Sequence, residues 1–366
     1  MKGLYIYMGF TSQNNGTVGI IKKIQAQRNL FDRIADEGCD LVNLSLQGGK
    51  NKAVRFFSYV FSNKVFDLSF LEGRRYDFVY IRRINPNCKS VLALLRKVRE
   101  ANPGCKIVYE IPTYPYDFEH NTLVLKVLLF IDRIYRKRLR RYVDRIATLT
   151  DDKEIFGCKT LKITNGVDCA SIPVCGKTDY DPRKIHLIAV AQFAFWHGYE
   201  RAIEGLHNYG KENVVLHLVG DGPELEKYKG LVSGYGLERQ VIFHGALSGD
   251  ALTAVFDTTD IALCSLSCHK IYIYIASELK SREYLCRGLP IVTSTKIDIV
   301  PDDFDFALRV PEDDSALDIQ KIVDFAESVY VSAPRVEVRN AIRAFAERTC
   351  SMDVAMRRVV EYLICN

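Results

Sequence analysis

The 366-residue sequence has no apolar run approaching the roughly 20 residues that cross a bilayer. It has no internal repeat and no low-complexity segment, and its composition excludes disorder, collagen and coiled coil. No GxxxxGK followed by Ser or Thr occurs, which excludes a P-loop kinase. The eleven cysteines are odd in number and form no CxxC pair, so neither a disulfide framework nor a zinc ribbon is expected. Cys264, Cys268 and His269 lack an evident fourth ligand. The DxD of Asp303, Phe304 and Asp305 follows Pro301 in an expected loop and is short enough to recur by chance. No metal site is assigned. The start, MKGLYIYMGFTSQNN, reads as a first strand instead of a signal peptide. Reduced thiols in the cytoplasm are the corresponding expectation.

What is present is ordinary globular composition, 48% hydrophobic and 26% charged. A chain of this length exceeds a single core, so two domains are expected. Charge is uneven between them. Residues 1–165 carry 29 Lys+Arg against 16 Asp+Glu, whereas the remainder carries 21 against 29. A basic first half joined to an acidic second half points to an anionic partner for the first.

Short apolar runs alternate with helical patterns. Strands are expected at Leu4–Met8, Phe78–Ile81, Lys106–Glu110, Arg145–Leu149 and Thr160–Ile163. Helices are expected over Ile20–Ala35 and Ser90–Ala101. Asn165-Gly166 is a turn signal, and Cys169–Arg183, with two prolines and little periodicity, reads as a linker. The alternation then resumes at Ile185–Ala191, Val214–Val219, Gln240–Phe243, Ile261–Cys264 and Pro290–Thr293. Strands alternating with helices of this length imply parallel sheets covered on both faces, hence an α/β chain of two doubly wound domains. The expected boundaries are 1–168, a linker at 169–183, 184–345, and a C-terminal helix at 346–366 that packs back on the first domain.

The sharpest local pattern is LKSREYLCRGLPIV, Leu279–Val292. Ser277 can cap a helix that begins near Glu278. Free N–H groups and the positive dipole end of such a helix suit a phosphate. Lys280 falls in the first turn, and Glu283 three residues later lies on the same face. A lysine for a diphosphate and a carboxylate for a ribose diol would line one wall. The same spacing also fits a solvated Glu/Lys pair.

This segment resembles the nucleotide-sugar signature of glycosyltransferase family 4, retaining enzymes of the GT-B fold. Asn165-Gly166-Val167-Asp168 resembles the turn that closes the family's first domain. FWHGYERAIEGL (Phe195–Leu206), LVGDGPELEKYKGLV (Leu218–Val232) and VIFHGALS (Val241–Ser248) resemble successive strand–loop units of its second. The resemblance is specific over Ile185–Thr293 and weaker before it. It implies two Rossmann-like domains facing a cleft, with donor binding in the second and acceptor binding in the first.

The resemblance also implies roles. Glu283 aligns with the second glutamate of an E-x7-E motif and would hold the donor ribose. The backbone N–H groups of Leu279 and Lys280 would meet the diphosphate, with Gly16 approaching it from the first domain. Gly245, Ala246 and Leu247 would face the nucleobase. Three positions depart from the family pattern. Ile275 stands at the first glutamate, Ala191 or Gln192 at a phosphate-binding arginine, and His197, before Gly198, at a lysine. Lys280 would replace some of the missing charge, and His197 can donate a hydrogen bond to phosphate or serve as a structural turn residue.

EIPTYPYDFE, Glu110–Glu119, follows an expected strand, at the strand end where ligands bind in parallel sheets. Tyr114 and Tyr116 offer stacking to an acceptor sugar. Glu110 or Asp117 would orient or deprotonate its hydroxyl. Lys126 to Arg145 holds eight basic residues, with Ile131, Tyr135, Leu139, Tyr142 and Ile146 at helical spacing. That pattern fits a basic amphipathic helix on an anionic membrane face, or a core helix with a solvated basic side.

The expected activity is therefore metal-independent hexosyl transfer, with retention, from a nucleotide-diphospho-sugar. The donor is UDP-linked ahead of GDP-linked, and no cofactor beyond it is expected. The acceptor would be a saccharide or lipid-linked saccharide for capsule or exopolysaccharide. The protein would be cytoplasmic and peripheral on the inner membrane face. A non-catalytic GT-B partner subunit and a nucleotide-sugar epimerase are the alternatives. No nucleic-acid reader motif accompanies the charge.

Overall fold

The computed structural model describes residues 1–9, 18–45, 52–117 and 123–365. Two units divide it: Met1–Thr164 together with Ala355–Asn366, and Asn165–Val354.

The first unit is a seven-stranded sheet in the order β2-β1-β3-β4-β5-β7-β6, formed by β1 (Gly3–Met8), β2 (Cys39–Leu44), β3 (Phe78–Arg82), β4 (Lys106–Ile111), β5 (Arg145–Thr148), β6 (Glu154–Ile155) and β7 (Cys158–Lys162). All pairings are parallel except the short β6–β7 hairpin. β3, FVYIR, is buried along its whole length, as a strand covered on both faces should be. The helices between strands are α1 (Val18–Ile34), α2 (Lys52–Phe61), α3 (Lys89–Ala101) and α4 (Leu123–Tyr135).

The second unit has a parallel six-stranded sheet in the order β10-β9-β8-β11-β13-β15. Its strands are β8 (Ile185–Gln192), β9 (Val214–Asp221), β10 (Val241–Gly245), β11 (Ile261–Leu263), β13 (Ile291–Thr293) and β15 (Ala307–Arg309). A separate parallel pair joins β12 (Ile275–Ala276) to β14 (Lys296–Ile297). Its helices are α5 (Glu200–Tyr209), α6 (Leu225–Tyr235), α7 (Gly249–Phe256), α8 (Leu279–Cys286), α9 (Ile319–Ser332) and α10 (Arg335–Cys350). After a short α11 (Met352–Ala355), α12 (Arg357–Ile364) belongs with the first unit.

Three expectations about organisation change. Cys169–Arg183 is built into the second unit: Cys169 and Cys175 are buried in its core, and Lys177 pairs with buried Asp260 at 2.8 Å. The return to the first unit begins at Ala355, after the whole of α10, instead of near 346. The Lys126–Arg145 segment is not one helix. α4 ends at Tyr135, a 3₁₀ turn runs Arg136–Arg141, and Arg145 opens β5. Leu139 and Ile146 therefore enter the core from a turn and a strand.

Gly220, near the end of β9, and Gly222, just after it, form a G-x-G. Their φ angles are +140° and +152°, and a Cβ would stand 1.8 Å from the Ala191 carbonyl oxygen and 2.5 Å from the Phe193 nitrogen. The glycines allow two strand ends to close on each other.

Candidate functional site

In the second unit, the chain leaves β8 toward β9 on one side and reaches β11 on the other. The topological switch point therefore lies between β8 and β11, and ligands of open α/β sheets bind at such points. Three segments meet there: the Phe195–His197 turn after β8, Ser265 just after β11, and the start of α8.

Glu278 is the N-cap of α8, in extended conformation, and no side chain caps the helix. The first-turn N–H groups of Leu279 and Lys280 consequently have no intrahelical partner. Ser277 does not act as the cap: its hydroxyl accepts from Arg282 at 3.1 Å, and Ser281 donates to the Glu278 carbonyl. Lys280 folds back from the first turn. Its ammonium donates to His197 Nδ1 at 3.0 Å and Tyr199 Oη at 3.0 Å, and stands 3.5 Å from Glu278 Oε2. Glu278 also accepts from the Ser265 amide at 3.2 Å and from its hydroxyl at 2.8 Å.

His197 stacks on Tyr199, with ring centroids 5.7 Å apart. Burial and the neighbouring Lys280 charge hold its pKa down to about 2, against a weaker upward pull from the Gln192 backbone. The ring is neutral at physiological pH. An ammonium can only donate, so Nδ1 carries the lone pair and the proton is on Nε2. His197 thus positions Lys280.

Glu283 lies one turn along α8, is 24% exposed, and accepts from Arg287 at 3.2 Å. It shares a helix with Lys280 but not a partner. Gly245 ends β10 and is exposed with Ala246, while Leu247 packs on the core. Ile275 is 63% exposed in β12, and Gln192 is exposed at the end of β8. Sequence reading passed over Glu278, Ser265 and Tyr199. Glu278 stood in plain view at the helix start, but its partner Ser265 is remote in the chain.

Glu110, Asp117 and Tyr116 are each held by side chains of their own unit. Glu110 is fully buried, and its oxygens accept from Lys23 at 2.9 Å, Arg82 at 3.0 Å, Tyr80 at 3.0 Å and Gln27 at 3.2 Å. Burial opposes its ionisation, but Lys23 and Arg82 outweigh that and hold the pKa at about 2. A carboxylate so saturated has no reach toward an acceptor hydroxyl and little basicity. Asp117 is clamped by Arg136 at 2.6 Å and Arg133 at 2.9 Å, and the Arg136 hydrogen bond leads in lowering its pKa. Tyr116 is buried, donates to Asp132 at 2.7 Å and lies under the Arg83 guanidinium at 3.3 Å. Tyr114 is half-exposed, edge-on to Phe156. Gly16, Phe118 and Glu119 fall outside the described residues.

α4 carries a different feature from the one expected. Ile131 is buried, but Val124, Val127, Phe130 and Ile134 are 65%, 48%, 65% and 46% exposed, along one helical stripe. Lys126, Arg133, Lys137, Arg138, Arg140 and Arg141 are exposed beside and after it. Among the described residues, no helix is long and apolar enough to cross a membrane.

Comparison with known proteins gives three results. The family model described as "Glycosyl transferases group 1" matches residues 177–302, which include the whole Lys280 cluster. No curated protein sequence matches the chain. Solved structures of similar fold span its full length. One is the Anabaena protein HepE in complex with UDP and glucose, with 15% identity, a TM-score of 0.62 and 99% of each chain covered. Another is sucrose-phosphate synthase from Thermosynechococcus elongatus, with 15% identity, a TM-score of 0.63 and 98% of each chain covered. The lipopolysaccharide outer core galactosyltransferase WaaB in its apo form has 15% identity and a TM-score of 0.60, with 99% of this chain and 98% of that one covered. The chain thus carries a glycosyl transferases group 1 domain on a GT-B architecture.

Proposed function

We propose that this protein is a glycosyltransferase whose second unit binds a nucleotide-diphospho-sugar and whose first unit binds the acceptor. The observation that carries the reading is Lys280, held by His197 and Tyr199 beside the uncapped start of α8, at the switch point of a glycosyl transferases group 1 domain. Diphosphate departure needs positive charge where negative charge develops. The α8 amides and Lys280 would supply it without a metal. For this the ammonium exchanges Glu278 for phosphate. Glu283 would reach the donor ribose after sharing or releasing Arg287, and Gly245 to Leu247 would border the base. A UDP-hexose donor and retention of configuration follow from the resemblance to family 4, and HepE, a structural neighbour, is seen with UDP and glucose.

The acceptor side is proposed to work at a membrane. The apolar stripe of α4, flanked by exposed Lys and Arg, suits the surface of an anionic bilayer, with the stripe at acyl depth and the cations at headgroups. That location suits a lipid-linked saccharide in surface polysaccharide synthesis, in a cytoplasmic, peripheral enzyme.

A second reading is favoured by one observation. Every N–H of Lys280 already faces an acceptor of its own chain, including a carboxylate. A non-catalytic partner subunit would keep such a closed cluster and bind nucleotide weakly. A thermal-shift panel of UDP, GDP, UDP-glucose, UDP-galactose, UDP-N-acetylglucosamine and GDP-mannose separates the two. Ligand at about 100 times its Kd adds about 2.7 kcal/mol of stability. A shift confined to one nucleotide series and lost in Glu283→Ala supports the transferase. No shift with any of them supports the partner subunit.

A further inference from the structure

Cys169, Cys286 and Cys350 come from three separate elements of the second unit: the turn before Ser171, the last residue of α8 and the last residue of α10. Their sulfur atoms all lie within 4.8 Å of one another, and Cys286 Sγ donates to Cys169 Sγ at 3.0 Å. Cys286 and Cys350 are fully buried, and Cys169 is 6% exposed. Among the described residues no histidine, carboxylate or fourth cysteine completes the group.

The backbone around each sulfur is anchored from outside. Arg343 donates to the Cys286 carbonyl at 2.7 Å and to the Cys169 carbonyl, and the Val167 amide donates to the Cys350 carbonyl at 3.0 Å. Arg343 also places positive charge near Cys169, as Arg282 does near Cys350. These arginines answer to Glu347 and Asp298 as well, so they moderate the local charge without cancelling it. The surrounding core is apolar, with Leu285, Ile342 and Ala346 nearby in the same cluster.

We infer that the three cysteines form a binding site for a soft d¹⁰ cation, Cu(I) in type, held by three thiolates and no other ligand. Thiolates select soft ions, and a dry trithiolate pocket with no fourth donor matches three-coordinate Cu(I) better than tetrahedral Zn(II). Loading forms three S–Cu bonds and breaks three S–H bonds. Three protons leave to the buffer, and no electron is transferred. Entry would be at Cys169, whose neighbours Ala170 and Ser171 are exposed. The ion would fix the C-terminal end of α8, the helix whose first turn bears Lys280. The site stands independently of the donor reading.

The test uses the full chain, purified reduced and without oxygen, titrated with Cu(I) against a chromophoric Cu(I) chelator. The expected result is one Cu(I) per chain, three protons released per ion, a raised thermal midpoint, and three sulfur neighbours by X-ray absorption. Cys350→Ser should lower affinity at least 100-fold, while exposed Cys365→Ser should leave it unchanged. The proton count and sulfur count are read on the native protein, so a misfolded Cys350→Ser does not decide the matter. Failure to hold Cu(I) against the chelator overturns the inference. So does equal retention in a folded Cys350→Ser variant, or a disulfide among the three with no uptake after reduction.

Discussion

Lys280 Nζ lies 3.0 Å from His197 Nδ1, and that one contact settles three things about the site. It makes the imidazole a neutral acceptor, places its proton on Nε2, and holds the ammonium at the start of α8 beside Glu278. A cation next to unpaired helix amides is a phosphate cradle. The same cation paired to a carboxylate is a cradle kept closed until an anion displaces that carboxylate.

Glu278→Gln should open the cradle. The amide keeps an acceptor for Ser265 but loses the charge that engages Lys280 at 3.5 Å. Partly buried ion pairs of this kind are worth about 1 kcal/mol, so UDP should bind roughly fivefold tighter by calorimetry. Weaker binding in the variant would mean that Glu278 supports the ligand instead of competing with it.

Glu110→Gln should act on stability and not on chemistry. Lys23 and Arg82 would lose the Glu110 charge that each pairs with in the buried interior, a loss of about 3–5 kcal/mol in denaturant unfolding. Activity per folded molecule should stay near wild type. A variant that folds as well as wild type and loses turnover would restore Glu110 to the site.

Acid should destabilise the chain in two windows, the upper one shared by His197, held at about 2 against 6.5, and His217. His217 is buried in a hydrogen-bonded row with His186 at 2.8 Å and His244 at 2.9 Å. Burial, then the neighbouring histidines and lysines, bring its pKa down from 6.5 to about 4. The unfolded chain therefore binds a proton that the folded one refuses. Stability present above pH 6.5 is lost as pH falls toward 4, by about 3 kcal/mol. Glu110, at about 2 against 4.5, adds a loss of the same sign below pH 4.5. Thermal midpoints across pH 7 to 3 should show both, with the upper window reduced in His217→Gln. A flat profile between pH 6.5 and 5 would contradict the assignment.

Phe130→Ser should weaken binding to anionic vesicles and leave folding alone, because the ring is 65% exposed. Losing one inserted aromatic costs about 1.5–3 kcal/mol, at least a tenfold drop in partition by cosedimentation. Raised salt should weaken binding as well, through the exposed Lys and Arg. Equal binding by neutral and anionic vesicles, or none by either, would remove the membrane from the account.

Much of the architecture is legible in the sequence. Apolar runs mark β1, β3, β4, β8, β9 and β11 closely, because strands buried on both faces read as near-continuous hydrophobic stretches. β2 is missed because its pattern, CDLVNL, alternates with polar residues at the sheet edge. α8 is recognisable from its own residues, since its first turn and its glutamate are local. Glu110 and Asp117 mislead for the opposite reason. Their partners Lys23, Arg82, Arg133 and Arg136 arrive from other elements, and nothing near the carboxylates in sequence shows that they are already satisfied. The 126–145 stretch keeps helical spacing past Tyr135, although the chain turns there to bring Leu139 and Ile146 into the core.

Lys280 is the proposed diphosphate ligand, and the most direct measurement of that role is paired calorimetry of UDP and uridine on wild type and Lys280→Ala. UDP should bind wild type well above uridine. The variant should lose about 10- to 100-fold for UDP and nothing for uridine, as expected for removal of one charge-assisted contact. Equal affinities of wild type for UDP and uridine, or an unchanged UDP affinity in Lys280→Ala, would contradict it.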